Sequence, residues 1–423
     1  MRSIKELCEG ERAYFKCSTD KEVLSYRLGE DMHFRFELCD GEGERLSCPK
    51  IIYLTRIDGE GERETWNTVD GNGGVLELSL KPSIAGFVYV RVIAADEDGK
   101  SYPSAETFHA GAGADVESIR QAVEEPSDFD EFWKDTVSRL NLVEPKLLHW
   151  EKLDPVKWGF EPEKYTTYEV RVQSIDGEFA SGFLSIPYDA SEGECALRLD
   201  FHGYGIRNAY GKYVPKTIVF DVIAHSFPAT ASEEEIKRLS EGELKHYGFE
   251  PEKNCDRDKV YFKNMILRDL QAARFLTSYF GSDRGGRLWD GKSIGTRGGS
   301  QGAFQAMAVS ALLPHFDIHP TFIIFHMPWM CDIGGVRFAS RYKSGFLPEY
   351  TDALRYYDTV NFAKRVKCRA EGGETGLGDN CAVPSATISC YNALDCEKYI
   401  TYYQNGVHGG HGKFFEVYRL ESL

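Results

Sequence analysis

The chain has 423 residues, 42% hydrophobic and 27% charged. It is long enough for two or three globular domains and too apolar to be disordered or of low complexity. With 50 Lys and Arg against 66 Asp and Glu, the net charge is −16, which repels phosphate backbones and excludes nucleic acid as a natural partner. No apolar run approaches the roughly 20 residues of a membrane span, so no membrane insertion is expected. The first ten residues contain no apolar signal core. The 11 cysteines are scattered without a Cys-x-x-Cys pair, the usage of free thiols in a reducing cytoplasm. A secreted or periplasmic protein shorn of its leader is the alternative.

Residues 1–110 read as an antiparallel β-sandwich of immunoglobulin type. Phe34, Phe36 and Leu38 alternate with Arg35 and Glu37, and Leu76, Leu78 and Leu80 alternate with Glu77 and Ser79. Period two means one buried and one wet face. Phe87–Ile93 is a further strand. The hexapeptide Asp-Gly-Glu-Gly-Glu-Arg occurs twice, at 40–45 and 58–63, each time after a strand pattern. Glycine at these positions suits two hairpin turns, and the carboxylate spacing matches no calcium loop. Tyr53, Trp66 and Tyr89 are either sandwich core or glycan contacts. The small residues from Ala110 to Ala114 and the polar stretch behind them read as a linker, 111–125. If the two domains keep separate cores, the second should fold without the first.

Residues 126–423 read as an α/β domain. Ser127 is placed to cap a helix carrying Phe129, Phe132, Trp133, Val137 and Leu140 on one face. Strands are expected at 168–173, 183–187, 196–201, 217–224, 321–325 and 399–403, and helices at 264–279, 301–313 and 385–393. Such alternation predicts a mostly parallel sheet covered on both faces, entered through an antiparallel hairpin around Asp176-Gly177.

Gly298-Gly-Ser300-Gln-Gly302 matches Gly-x-Ser-x-Gly, the sharp strand-to-helix turn that exposes a nucleophilic serine. Alone, the pattern also fits a glycine-rich turn. The short strand before it and the helical run to Leu313 after it supply the required context. A serine needs a base and the base needs an orienting acid, in the chain order Ser, Asp or Glu, His. His315, His319 and His326 come too early, which leaves His408 and His411 in a glycine-rich segment after the last expected strand. His408, closer to the anchored strand, is the expected base, with His411 as the alternative. Asp379, in Gly376-Leu-Gly-Asp-Asn380, is the expected acid, ahead of Asp395 and Asp358. The oxyanion hole needs two backbone N–H groups, expected from Gln301 and from Tyr204 in the His202-Gly-Tyr-Gly205 turn. His202 precedes the serine and reads as a structural hydrogen-bonder. Two histidines three apart with two glycines between them make no helix-borne metal motif, so no metal is expected.

These motifs resemble carbohydrate esterase family seven, the acetyl xylan esterases and cephalosporin-C deacetylases. The resemblance covers roughly the last 300 residues. Its stretches include Asp128–Trp133, Phe201–Tyr204, Arg268–Ala273, Gly298–Gly302, Asp358–Ala363, Gly376–Asn380 and Asn405–Gly410. It implies an α/β-hydrolase fold and a serine carboxylesterase removing acetyl groups from xylose-based carbohydrate without any cofactor. It assigns nucleophile, acid and base to Ser300, Asp379 and His408, and oxyanion donors to Tyr204 and Gln301. It also implies a homo-oligomer, which an added N-terminal domain would alter or block. Three departures stand out. The family's Arg-Gly-Gln after the fourth strand, held to steady the loops, is replaced by Ile223-Ala-His225. His408 is followed by Gly409 rather than Glu. Cys368–Glu374 is a poor strand where the family has an apolar one. The competing class is a glycan-binding or scaffold protein on a decayed hydrolase fold, against which the intact Ser, Asp and His speak. A hydrolase for another ester or a peptide is a further alternative.

Overall fold

Alternating side chains along the first 114 residues build two facing sheets. In the computed structural model, which describes residues 1–422, one sheet pairs Tyr14–Thr19 (β2), Met32–Cys39 (β3) and Val75–Leu80 (β7). The other has the order β6-β5-β8-β9, with Lys50–Ile57 (β5), Thr65–Asp70 (β6), Gly86–Ala95 (β8) and Phe108–Ala114 (β9). All these pairings are antiparallel. Arg2–Ser3 (β1) adds a short bridge to Leu46–Ser47 (β4). Phe15, Phe34, Phe36, Ile51 and Val90 fill the space between the sheets.

The segment expected to open a linker is strand β9. At Gly111 other backbone comes close: a Cβ there would lie 2.6 Å from the Leu377 carbonyl oxygen. The separate-core expectation fails with it. One continuous cluster of buried side chains runs from Phe15 and Phe87 of the sandwich to Phe304 and Tyr402 of the second domain.

That domain is organised by a ten-stranded sheet in the order β10-β11-β12-β14-β13-β15-β16-β17-β18-β19. The strands are Leu147–Lys152 (β10), Tyr165–Gln173 (β11), Phe179–Pro187 (β12), Cys195–Phe201 (β13), Thr217–Val222 (β14), Trp289–Gly299 (β15), Phe322–His326 (β16), Arg369–Gly376 (β17), Lys398–Val407 (β18) and Gly410–Ser422 (β19). The middle, β14 to β18, is parallel, and both ends are antiparallel. The chain switches direction at β13, which leaves a crevice beyond the carboxyl ends of β13 and β15, where ligands bind in open α/β sheets.

One face of the sheet carries a continuous helical layer: Phe129–Asn141 (α1), Tyr261–Phe280 (α5), Gln301–Leu312 (α6), Thr359–Ala363 (α8) and Pro384–Ala393 (α9). Four short helices sit in connections: Pro155–Trp158 (α2), Glu233–Glu241 (α3), Pro251–Asn254 (α4) and Gly335–Ala339 (α7). The expected cover on both faces is only half present. A small second core around Phe183, Ile223 and Phe227 covers the other face near β12 and β14. From β16 to β18 the strands alternate between buried and half-exposed or exposed positions, so that face stays wet. This explains why Arg369–Gly376 carries so little apolar character yet is a strand. The cap of α1 also differs from expectation. Asp128, not Ser127, holds the N-cap position, and its carboxylate pairs with Arg257 and Tyr356. No helix among the described residues is long and apolar enough to cross a membrane.

Candidate active site

Ser300 ends β15 and opens α6. Its backbone adopts φ 55°, ψ −121°, a sparsely populated conformation that costs of order 1–3 kcal/mol and persists only where the surroundings impose it. The surroundings here are the two glycines. A Cβ on Gly298 would lie 2.1 Å from the Gly302 carbonyl oxygen, and one on Gly302 would lie 2.2 Å from that of Phe201. The Ser300 N–H donates to the His326 carbonyl at 3.0 Å, which ties the turn to the neighbouring strand.

The segment expected as a loop around His408 is a hairpin. Val407 pairs with Gly410 across β18 and β19, so His408 and Gly409 form its two-residue turn. Gly409 takes a left-handed φ of 78°. His408 Nε2 lies 2.9 Å from Ser300 Oγ, and its Nδ1 lies 2.7 Å from Asp379 Oδ2. Asp379 is fully buried, and its other oxygen accepts the N–H groups of Cys381 at 2.7 Å and Ala382 at 3.0 Å. These contacts suit a neutral imidazole carrying its proton on Nδ1. Burial disfavours the charged ring, but the hydrogen bond and charge of Asp379 outweigh it and hold the His408 pKa above its ordinary value.

The alternatives lie elsewhere. His411 is exposed and stacks on Tyr403, 5.7 Å between centroids and 3° between planes. Asp395 pairs with Lys367 at the surface. Asp358 caps α8 and accepts the N–H groups of Asp332, Ile333 and Val360. His202 accepts from the Ala224 N–H at 3.2 Å and donates from Nδ1 to Gly203 O at 2.6 Å, a structural role. Burial depresses its pKa to about 4.

The 203–205 turn lies against the serine: a Cβ on Gly203 would sit 3.7–3.8 Å from Gly299 O and Ser300 Cβ. The N–H of Gln301, in the first turn of α6, has no carbonyl of its own helix to meet. The turn is held by a network with no local signature in the sequence. Tyr247 stacks on Tyr204 at 4.3 Å. Its hydroxyl accepts from the Gly205 N–H at 2.8 Å and donates to Gln301 Oε1 at 3.0 Å. Gln301 continues through Gln305 to the buried Asp269. His225, in place of the family's loop-steadying motif, meets Gly205 O at 3.2 Å and the Tyr261 hydroxyl at 2.6 Å. Tyr261 and Ala224 O are in turn held by Arg268, which pairs with Glu178.

The sandwich reaches the other side of the site. Gln404 exchanges both amide bonds with Gly111 of β9, at 2.9 and 3.1 Å. Asn405, buried at φ 59°, accepts the His109 N–H at 3.1 Å and donates to Phe414 O at 3.0 Å. The acid loop hangs from the same hairpin through Leu377 N–H to Tyr403 O and Gly378 N–H to Gly406 O, both 2.9 Å. Base and acid are thus anchored together, with the sandwich behind them.

Sheet order, serine elbow and a Ser–His–Asp chain of hydrogen bonds define an α/β hydrolase. Within that class the chain belongs to the acetyl xylan esterase (AXE1) family, whose model matches residues 114–339 and 348–422. It is 25% identical over 304 residues to acetyl esterase Axe7A of Xylanibacter ruminicola, covering 69% of this chain and 65% of that protein, so the match spans less than two thirds of the relative. Two solved structures share the fold. The acetyl xylan esterase from Paenibacillus sp. R4 aligns with a TM-score of 0.53 at 20% identity, over 70% of this chain and 93% of that one. Acetyl xylan esterase 1 from Thermoanaerobacterium sp. JW/SL YS485 aligns at 0.52 and 19%, with the same coverage.

Proposed function

We propose that the protein is a serine esterase that removes O-acetyl groups from acetylated xylan or xylo-oligosaccharides. The observation that carries this reading is the chain Ser300 Oγ, His408, Asp379, with contacts of 2.9 and 2.7 Å and a fully buried acid. Family membership supports the acetyl ester as substrate. His408 Nε2 takes the Ser300 proton as Oγ attacks the acetyl carbonyl carbon. The N–H groups of Tyr204 and Gln301 receive the oxyanion in a turn already held in place, so little reorganisation is needed. His408 then protonates the departing sugar oxygen. Water, activated by the same ring, hydrolyses the acetyl-enzyme and releases acetate.

Ser300→Ala should lower kcat on an aryl acetate by on the order of 10⁶, as removal of a triad serine does elsewhere. A fluorophosphonate probe should label the wild type at Ser300 and leave the variant unlabelled. Unchanged turnover or labelling in the variant overturns the assignment. The raised His408 pKa gives the pH profile a sign. The base works only when neutral, so the acid limb of kcat/KM should lie above 6.5, and Asp379→Asn should move it down.

A further inference from the structure

We propose that the cleft beside the catalytic hairpin is a glycosyl subsite, in which a neutral sugar ring stacks on Tyr403 and His411 while its hydroxyls donate to Glu374. This rests on the esterase reading above and names the leaving-group side of the same site. The cleft has a volume of about 420 Å³ and is lined by Glu374, Gly376, Tyr403, Gly409, Gly410 and His411. It begins one residue past the base, since Gly409 shares the hairpin turn with His408.

Three adjacent strand ends connect it to the nucleophile. Gly299 pairs with His326, and His326 pairs with Gly373. The His326 carbonyl accepts the Ser300 N–H, while its ring abuts Gly373, next to Glu374. A substrate with its acetyl group at Ser300 can therefore extend over His326 into the cleft.

The lining has the chemistry of sugar recognition. A pyranose offers a face of C–H groups and a rim of hydroxyl donors. The Tyr403 and His411 rings are parallel to within 3°, and Phe415 closes on His411 at 3.8 Å between centroids. They lie on the sheet face that lacks a helical layer, so the stack is open to a ligand. Glu374 is exposed and sits at φ 53°, in the register shift between Gly372 and Thr375. A left-handed glutamate is strained, and strain of this kind gathers at ligand sites. Its carboxylate accepts hydroxyl donors and repels anions, so the ligand class is a neutral glycan rather than one bearing a uronic acid next to the acetyl group.

The test is the ratio of kcat/KM for an acetylated xylo-oligosaccharide to that for an aryl acetate, measured on the wild type, Glu374→Gln, His411→Ala and His411→Phe. The ratio should fall about tenfold in Glu374→Gln and His411→Ala, mainly through KM for the sugar ester, the scale of losing a hydrogen bond or a packing contact in a pocket. His411→Phe, which keeps a ring for stacking, should recover most of it. An unchanged ratio in both weakened variants, or a wild type that cleaves the aryl ester and ignores the sugar ester, overturns the subsite. A wild type inert towards both esters overturns the esterase reading instead. Both positions are exposed, and equal thermal transitions among the variants will show that folding is intact.

Discussion

Residues 40–45 and 58–63 spell the same hexapeptide, and the fold uses the two copies in opposite ways. Asp40 stays in water and caps its own turn, accepting the N–H groups of Glu42 and Glu44 at 3.0 Å each. Asp58 is fully buried between the domains. It accepts the Phe87 N–H from the sandwich at 2.8 Å and the Tyr342 N–H from the hydrolase at 2.9 Å. The glycines differ as well: the N–H groups of Gly59 and Gly61 both donate to Ser340 O at 2.8 Å. Six identical residues thus form a solvated turn in one place and a peg in the other. What decides is the surface each meets, for the second copy a socket at 340–345. That socket leads to the active site, because Gly345 N–H donates to Asn380 O at 2.6 Å and Ser344 Oγ donates to Cys381 O at 2.6 Å, just past the catalytic acid.

Removing both copies with residues 1–110 is the harshest way to break this comparison. The shared core predicts an insoluble remainder, or one without a cooperative unfolding transition, measured by soluble yield and thermal scanning. An active, cooperatively folding 111–423 fragment would show that the interface is dispensable. Next comes Asp58→Ala. It orphans two buried N–H groups at about 1–3 kcal/mol each, so urea unfolding should show a loss of about 2–6 kcal/mol, with a lower kcat on an aryl acetate. Asp58→Asn keeps one acceptor and should lose about half as much. Asp40→Ala should have the smallest effect on both readouts.

The pH dependences of the two copies should have opposite signs. Burial pushes the Asp58 carboxyl up despite its two hydrogen bonds, so the folded state holds that proton more tightly than the unfolded chain. Its contribution to stability is full below the unfolded value of 3.8 and falls as pH rises towards the folded value. Asp40 is held down by its backbone hydrogen bonds, which outweigh desolvation. Its contribution is present above 3.8 and falls as pH drops through the lower folded value. Unfolding free energies across acidic pH, as differences between wild type and each Asn variant, should slope in opposite directions. Parallel slopes would mean that the two carboxylates share one environment.

The same contrast governs what can be read from sequence. The elbow was legible because its pattern is local: Gly298, Ser300 and Gly302 fall within five residues, although the carbonyl that excludes a side chain at Gly302 belongs to Phe201. Asp379 and His408 were legible through chain order and glycine-rich context. The two copies of the hexapeptide were not distinguishable, because the surface around Asp58 comes from residues nearly 300 positions away. For the same reason the Ala110–Ala114 run passed for a linker. A small-residue stretch looks alike whether it is mobile or pressed against another backbone. Tyr247 and His225 announced nothing, since a ring that holds a turn from a distant segment has no spacing rule. The C-terminal strand was hidden by its exposed edge position, which requires no apolar alternation.

The union of β9 with β18 bears on how the chain acquires its structure. Gly111 and Gln404 exchange two hydrogen bonds across 293 residues of sequence. During synthesis the sandwich emerges first, and Phe87 and Gly111 must wait for β18, nearly 300 residues further on, before their outer face is covered. Closing so long a loop is entropically costly and slow, and exposed apolar surface favours aggregation meanwhile. Refolding should therefore show an early phase in which the sandwich sheets form, and a late one in which the hairpin docks on β9. Hydrolytic activity should return only with the second phase, because the general base sits in the turn of the hairpin that docks in it.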